Sequence, residues 1–336
     1  MLRGTREALT GCHDLAMLDL DGVVYVDGEA VPQAAEAIAA AREQQMRVAF
    51  ITNNASRTPA TVSAHLRRIG VHADDADVVT SAQAAARVLA ERLGEGARVV
   101  VLGADGLLES VRAVGLEPVG VEDDADAVVT GYGPDVLWRD VMRAAVRIRE
   151  GLWWVASNTD QSIPTSYGVA PGHGVLVETL QRFSGVEPVV AGKPARPLLD
   201  ETVRRVGGER PLMVGDRLDT DIEGAVGTGI EALLVLTGVT DLPTLLAARE
   251  QERPTYLHPD LRGLLEPHPE VVADGGVARC GGWSAHVEDG RLQVSGEGGE
   301  ADWWRAVAVA GWAHLDRTGR PVETGDLVGP PSAVAR

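Results

Sequence analysis

Cysteine is almost missing from this chain. Cys12 and Cys280 are the two in 336 residues, too few for a disulfide framework, so a reducing, cytoplasmic compartment is expected. No apolar run approaches the ~20 residues that span a bilayer. Residues 1–10 mix Arg, Glu and Thr and have no apolar core of the signal-peptide kind. Positive charge is also short: 31 Lys and Arg face 49 Asp and Glu, a formal net charge of −18. Without a basic stripe, neither nucleic acid nor an anionic membrane is expected as a partner. Several common signatures are absent too. There is no HExxH and no pair of CxxC, and Glu187 stands where a P-loop ending in Gly192-Lys193 would need its first glycine. Leu218 breaks an EF-hand reading of Asp216, Asp219 and Asp221. No internal repeat at a fixed period and no low-complexity tract is found.

What is present is an ordinary globular composition, 45% apolar and 24% charged, over a length that predicts two domains or three. An apolar run from Leu15 reads as a buried strand ending in Asp19 and Asp21. Strand alternation puts these two acids on one face, and Gly22 permits a sharp turn beside a ligand. Taken alone, the stretch reads equally as a strand-to-turn junction or as a nucleophilic carboxylate with an acid/base partner.

The rest of the chain decides between these readings. Pro32 opens an Ala-rich helix reaching about Gln45, residues 47–52 form a second buried strand, and Thr58-Pro59 caps a helix that closes at Gly70. From residue 78 to about 185 the alternation continues, with strands expected at 98–102, 127–130 and 152–156 and helices at 107–114, 136–150 and 174–183. A strand at 189–191, a helix at 198–206, a strand at 211–214, a helix from about 220 and final strands at 231–236 and 256–257 follow. The order β-α-β-α predicts an α/β fold, a doubly wound parallel sheet with helices on both faces. Past residue 267 the composition shifts. A hairpin is expected at 283–287 and 291–295 around Asp289-Gly290, then a helix at 301–315 with Trp303, Trp304, Val307 and Trp312 on or near one face. These tryptophans read as core or interface rather than as a platform for nucleobases.

Four strand ends carry residues suited to phosphate chemistry: Asp19 and Asp21, then Thr52 and Asn53, then Lys193, then Asp216. Ligands of open parallel sheets bind outside such carboxyl ends. A phosphate monoester is a dianion and needs cations to approach two carboxylates. A hard ion, Mg²⁺ foremost, is expected on the Asp19 carboxylate, the Asp21 carbonyl and Asp216. Lys193 adds positive charge, while the Thr52 hydroxyl and the Asn53 N–H are expected to donate to phosphoryl oxygens.

These motifs, in this order, resemble the haloacid dehalogenase superfamily of phosphotransferases. Asp19-Leu20-Asp21-Gly22-Val23 resembles its first motif, Ile51-Thr52-Asn53-Asn54 its second, Gly192-Lys193-Pro194 its third, and Gly215-Asp216-Arg217-Leu218-Asp219-Thr220-Asp221 its fourth. The resemblance implies Asp19 as nucleophile, Asp21 as acid/base, Asp216 as metal ligand and Asp221 as a supporting acid. It also implies a two-step hydrolysis through an aspartyl phosphate. The 141 positions from Thr52 to Lys193 are similar to the branch with a C2 cap inserted between motifs two and three, the type IIA phosphatases. On that pattern residues 1–82 and 186–266 form the core, 83–185 the cap and 267–336 a small αβ appendage. Asn54, Asn158 and Asp160 resemble the branch's sequence habits. Within it, the chain is most similar to glycerol 3-phosphate phosphatases of high-GC bacteria. Phosphoglycolate, nucleoside monophosphate, pyridoxal phosphate and sugar phosphates stay open as substrates.

Beyond the motifs, Tyr132 between Gly131 and Gly133 either faces substrate or belongs to a tight turn. Asn158, Asp160, Ser162 and Ile163 line the expected cap mouth or form a capped loop, and His173 reads as structural or functional. The tail resembles an incomplete acetyltransferase-like module without a pyrophosphate loop. Its expected use is structural or in a homo-oligomer, and a reading in which it is the main business, binding a partner or moving acyl groups, is the alternative from another class.

Overall fold

The strand Leu15–Asp19 is the apolar run that the sequence predicts to be buried. Leu15 through Leu18 are fully buried, the mark of a strand covered on both faces in a parallel sheet. The computed structural model describes residues 2–165, 168–325, 327 and 329. Met1, residues 166–167 of the expected cap, and residues 326, 328 and 330–336 of the expected tail lie outside the described residues. The chain divides into two compact units, Met1–Ala49 with Ile69–His72 and Gly208–Arg336, and Phe50–Arg68 with Ala73–Gly207.

In the first unit parallel strands run in the order Tyr256–His258, Glu231–Val235, Pro211–Gly215, Leu15–Asp19, with Leu18 opposite Val214. The strand Arg47–Thr52 adds to this edge, starting in the first unit and ending in the second. The helix Ala34–Glu43 buries Ala34, Ala37, Ile38 and Ala41, one stripe at helical spacing. It starts two residues later than Pro32 because Gln33 adopts φ 66°.

The tail is a four-stranded antiparallel sheet, Val272–Asp274, Val277–Cys280, Trp283–Glu288 and Arg291–Gly296, backed by the helix Glu300–Thr318. That helix is buried almost all round from Arg305 to Trp312, as a helix covered on two sides must be. Its second face meets the elements that precede the tail. Arg305 Nε donates to the Leu257 carbonyl at 3.1 Å, Trp312 Nε1 to the Leu245 carbonyl at 2.7 Å, and Gly311 packs on Leu246. Trp303, Val307 and Trp312 are buried, whereas Trp304 stays half-buried and stacks edge-on against Trp303.

In the second unit the order is Val189–Val190, Trp153–Ala156, Ala127–Thr130, Arg98–Leu102, Glu117–Val119, parallel throughout. Its core gathers Val100, Val128, Ile148, Trp154, Val177 and Leu180. Buried Trp154 satisfies its indole N–H on Thr130 Oγ1 at 3.0 Å. The helix Ser81–Leu93 has no counterpart in the sequence expectations, although Thr80 and Gln83 form a reciprocal capping box at its start. The α/β class and the parallel sheets are as the strand–helix alternation predicts.

Candidate active site

In the first unit two adjacent parallel strands, Leu15–Asp19 and Pro211–Gly215, end on the same side. Asp19 closes one, and Asp216 follows the other. A single π-helical turn, Leu218–Ile222, then brings Asp221 back. One carboxylate oxygen from each of Asp19, Asp216 and Asp221 lies within 4.8 Å of the other two. Asp216 and Asp221 are 1% exposed, and Asp19 is half-buried. Asp221 Oδ2 accepts the Arg217 N–H at 3.1 Å. Gly22 and Gly238 press on the Asp216 carboxylate so closely that a Cβ at either position would collide with it.

Asp21 departs from the expected alternation. The strand stops at Asp19, and Gly22, at φ 86° with its N–H donated to the Tyr25 carbonyl at 2.8 Å, turns the chain away. Asp21 therefore sits on the turn and is exposed, where a side chain can exchange protons with water. Three carboxylates in so small a space repel one another unless positive charge joins them. An all-oxygen donor set suits a hard divalent cation such as Mg²⁺, so these residues fit one.

In the second unit Asn53 is the hub. It follows Thr52, the 6% exposed last residue of its strand. Asn53 Oδ1 accepts the Lys193 N–H at 2.8 Å, and its Nδ2 donates to the Lys193 carbonyl and to Asp160 Oδ1, both at 3.0 Å. Its own carbonyl accepts from Ser81 Oγ at 2.5 Å and Asn158 Nδ2 at 2.7 Å. Thr52, Asn53, Asn158, Asp160 and Lys193, spread over 141 positions, are thus drawn together. Lys193 is the sole lysine of the chain and is 3% exposed.

The remaining expected residues stand differently. Asn54 Oδ1 accepts from Ser56 N at 2.9 Å and Ser56 Oγ at 2.7 Å, an Asx turn that engages the side-chain oxygen. Tyr132 is half-buried in the loop after Ala127–Thr130. Ser162 and Ile163 lie on the hairpin Ser162–Thr165 with Gly168–Pro171, Ile163 opposite Ala170. His173 is 4% exposed and its Nδ1 donates to the Asn158 carbonyl at 2.8 Å. Burial pushes its pKa down to about 4, so it is neutral near pH 7. Ser81 and the segment 237–240 escaped the sequence reading. The Thr80–Gln83 capping box could have drawn attention to Ser81, but residues 237–240 carry no periodicity.

The family described as haloacid dehalogenase-like hydrolase matches residues 16–117, and one described as HAD-hydrolase-like matches 190–264. D-glycerol 3-phosphate phosphatase of Mycobacterium tuberculosis is 41% identical over 328 residues, covering 94% of this chain and 91% of the relative. An acid sugar phosphatase of Staphylococcus saprophyticus is 33% identical, covering 74% of this chain and 96% of its own. Among solved structures, the M. tuberculosis glycerol phosphate phosphatase in complex with magnesium superposes with a TM-score of 0.84 at 41% identity, over 95% of this chain and 96% of that one. With its ordered motifs and its carboxylate cluster, the chain belongs to the haloacid dehalogenase-like hydrolases, among the phosphatases of that family.

Proposed function

We propose that this chain hydrolyses a small phosphate monoester, glycerol 3-phosphate first among them, with Mg²⁺ as cofactor, in the cytoplasm. The observation that carries the reading is the convergence of Asp19, Asp216 and Asp221 oxygens within 4.8 Å at the ends of neighbouring strands. The choice of ester leans on coverage. The glycerol 3-phosphate phosphatase aligns over 94% of the chain, tail included, while the sugar phosphatase aligns over 74%.

In this proposal Asp19, Asp216 and the Asp21 carbonyl hold the cation, with Asp221 in support. Bound there, magnesium supplies positive charge that lets a dianionic ester approach carboxylates. Asp19 attacks phosphorus in line, the P–O bond to the alcohol breaks, and Asp21 gives its proton to the departing alkoxide. Asp21, now ionised, takes a proton from water as that water attacks the aspartyl phosphate. Inorganic phosphate leaves and Asp19 is restored. Thr52, the Asn53 N–H and Lys193 neutralise charge on the phosphoryl oxygens. Residues 83–185 serve as the C2 cap, with Asn54, Tyr132, Asn158, Asp160 and Ile163 setting which alcohol is accepted.

A substrate panel tests this: glycerol 3-phosphate, phosphoglycolate, a nucleoside monophosphate, pyridoxal phosphate and a sugar phosphate, each with Mg²⁺, Mn²⁺ and Ca²⁺. The highest kcat/KM is expected for glycerol 3-phosphate with Mg²⁺. A tenfold preference for another ester would replace the substrate, and no metal-dependent hydrolysis of any would sink the proposal.

A further inference from the structure

One short segment grips the acidic cluster from outside the motifs. The strand Glu231–Val235 pairs beside Pro211–Gly215, and shortly after it come Thr237-Gly238-Val239-Thr240. Val239 N–H donates to Asp216 Oδ2 at 2.8 Å, and Thr240 Oγ1 donates to the Asp216 carbonyl at 2.5 Å. Asp216 is therefore held at both side chain and backbone. Thr237 Oγ1 donates to the Gly22 carbonyl at 2.5 Å, tying down the turn that carries Asp21. Gly238 lies against the Asp216 carboxylate where no Cβ could fit. Val239 is 65% exposed, so this position serves through its backbone.

We propose that residues 237–240 are a clamp that presets the cation site, with Thr237 and Thr240 as positioning residues that set its affinity for Mg²⁺. The inference rests on the reading of Asp19 and Asp216 as cation ligands. A carboxylate free to rotate away from two like charges would do so before the cation arrives. The clamp removes that freedom by fixing the Asp216 rotamer and by holding the Gly22 turn at a set distance from it. Partners behind the ligands tune metal affinity by about 10- to 100-fold in other sites of this kind.

The test is Mg²⁺ titration of the metal-free protein by calorimetry, for wild type, Thr240→Val, Thr237→Val and the double variant. Each single valine variant keeps the side-chain shape and is expected to weaken Mg²⁺ binding about tenfold. KM for the ester at saturating Mg²⁺ should stay within twofold of wild type. Thr240→Ser and Thr237→Ser, which keep the hydroxyl, should restore the affinity. Thermal melts identify the variants that fold, and Thr237→Val keeps the proposal testable if Thr240→Val does not. Folded valine variants that bind Mg²⁺ like wild type overturn the clamp alone. A wild type that binds no Mg²⁺ overturns the cation reading beneath it.

Discussion

In the proposed mechanism Asp19 is both an attacking group and part of a charged cluster, and those two demands separate in a substitution. Asp19→Asn removes the proposed nucleophile, so turnover should fall by at least about a thousandfold. It also removes one of three mutually repelling carboxylates, so the metal-free variant should melt no lower than wild type. Turnover within tenfold of wild type would refute the nucleophile role. Lys193 offers a second residue-scale check because no other lysine exists. At 3% exposure, its amine should resist reductive methylation in the folded protein and react after denaturation, as mapped by mass spectrometry. Equal labelling in both states would mean that the burial is wrong. At this scale the sequence was informative because the candidate acids and the lysine sit in short ordered motifs. Asn53 was less legible. Its side chain joins Lys193 and Asp160 at 3.0 Å or closer, a role that depends on partners more than 100 residues away.

Among elements, the strands Arg47–Thr52, Arg98–Leu102 and Ala127–Thr130 lie where their apolar runs and flanking breakers predict. The segment 237–240 was invisible because it has no hydrophobic period, and where a helix was expected from about residue 220 a π turn, Leu218–Ile222, comes first. The junction of the last core strand with the tail helix carries its own prediction. His268 Nε2 donates to the Gly263 carbonyl at 2.8 Å, and its Nδ1 accepts from Arg305 Nη2 at 2.9 Å, so the ring must be neutral. Burial, reinforced by Arg305, lowers its pKa to about 4. The unfolded chain, at about 6.5, binds the extra proton between those values. His268 thus contributes its full stability above pH 6.5 and loses it as pH falls toward 4, by up to about 1.4 kcal/mol per pH unit. Denaturant unfolding from pH 7 to 4.5 should show this slope, and His268→Gln should flatten it. An unchanged slope would count against the neutral ring.

For the whole molecule, the tail decides how far the chain can be cut. Residues 267–336 supply Arg305 to the Leu257 carbonyl and Trp312 to the Leu245 carbonyl, and they cover Leu246. Removing them would expose fully buried Leu245, Leu246 and Leu257, each worth about 1.5–3 kcal/mol of burial. The truncated chain is expected to aggregate or to melt at least about 10 °C lower. A soluble, fully active truncated chain with an unaltered melting temperature would instead make the tail an independent appendage. By itself the sequence determined the α/β alternation, the family and the acids, hydroxyl and lysine of the motifs, because these depend on local period and order. Only the tertiary structure decided how near Asp221 comes to Asp19 and Asp216, that the strand stops at Asp19 and leaves Asp21 on the Gly22 turn, and that a segment between motifs and tail fastens Asp216. Those outcomes depend on which strand ends become neighbours and where a Cβ cannot fit, and neither is written in any single stretch of chain.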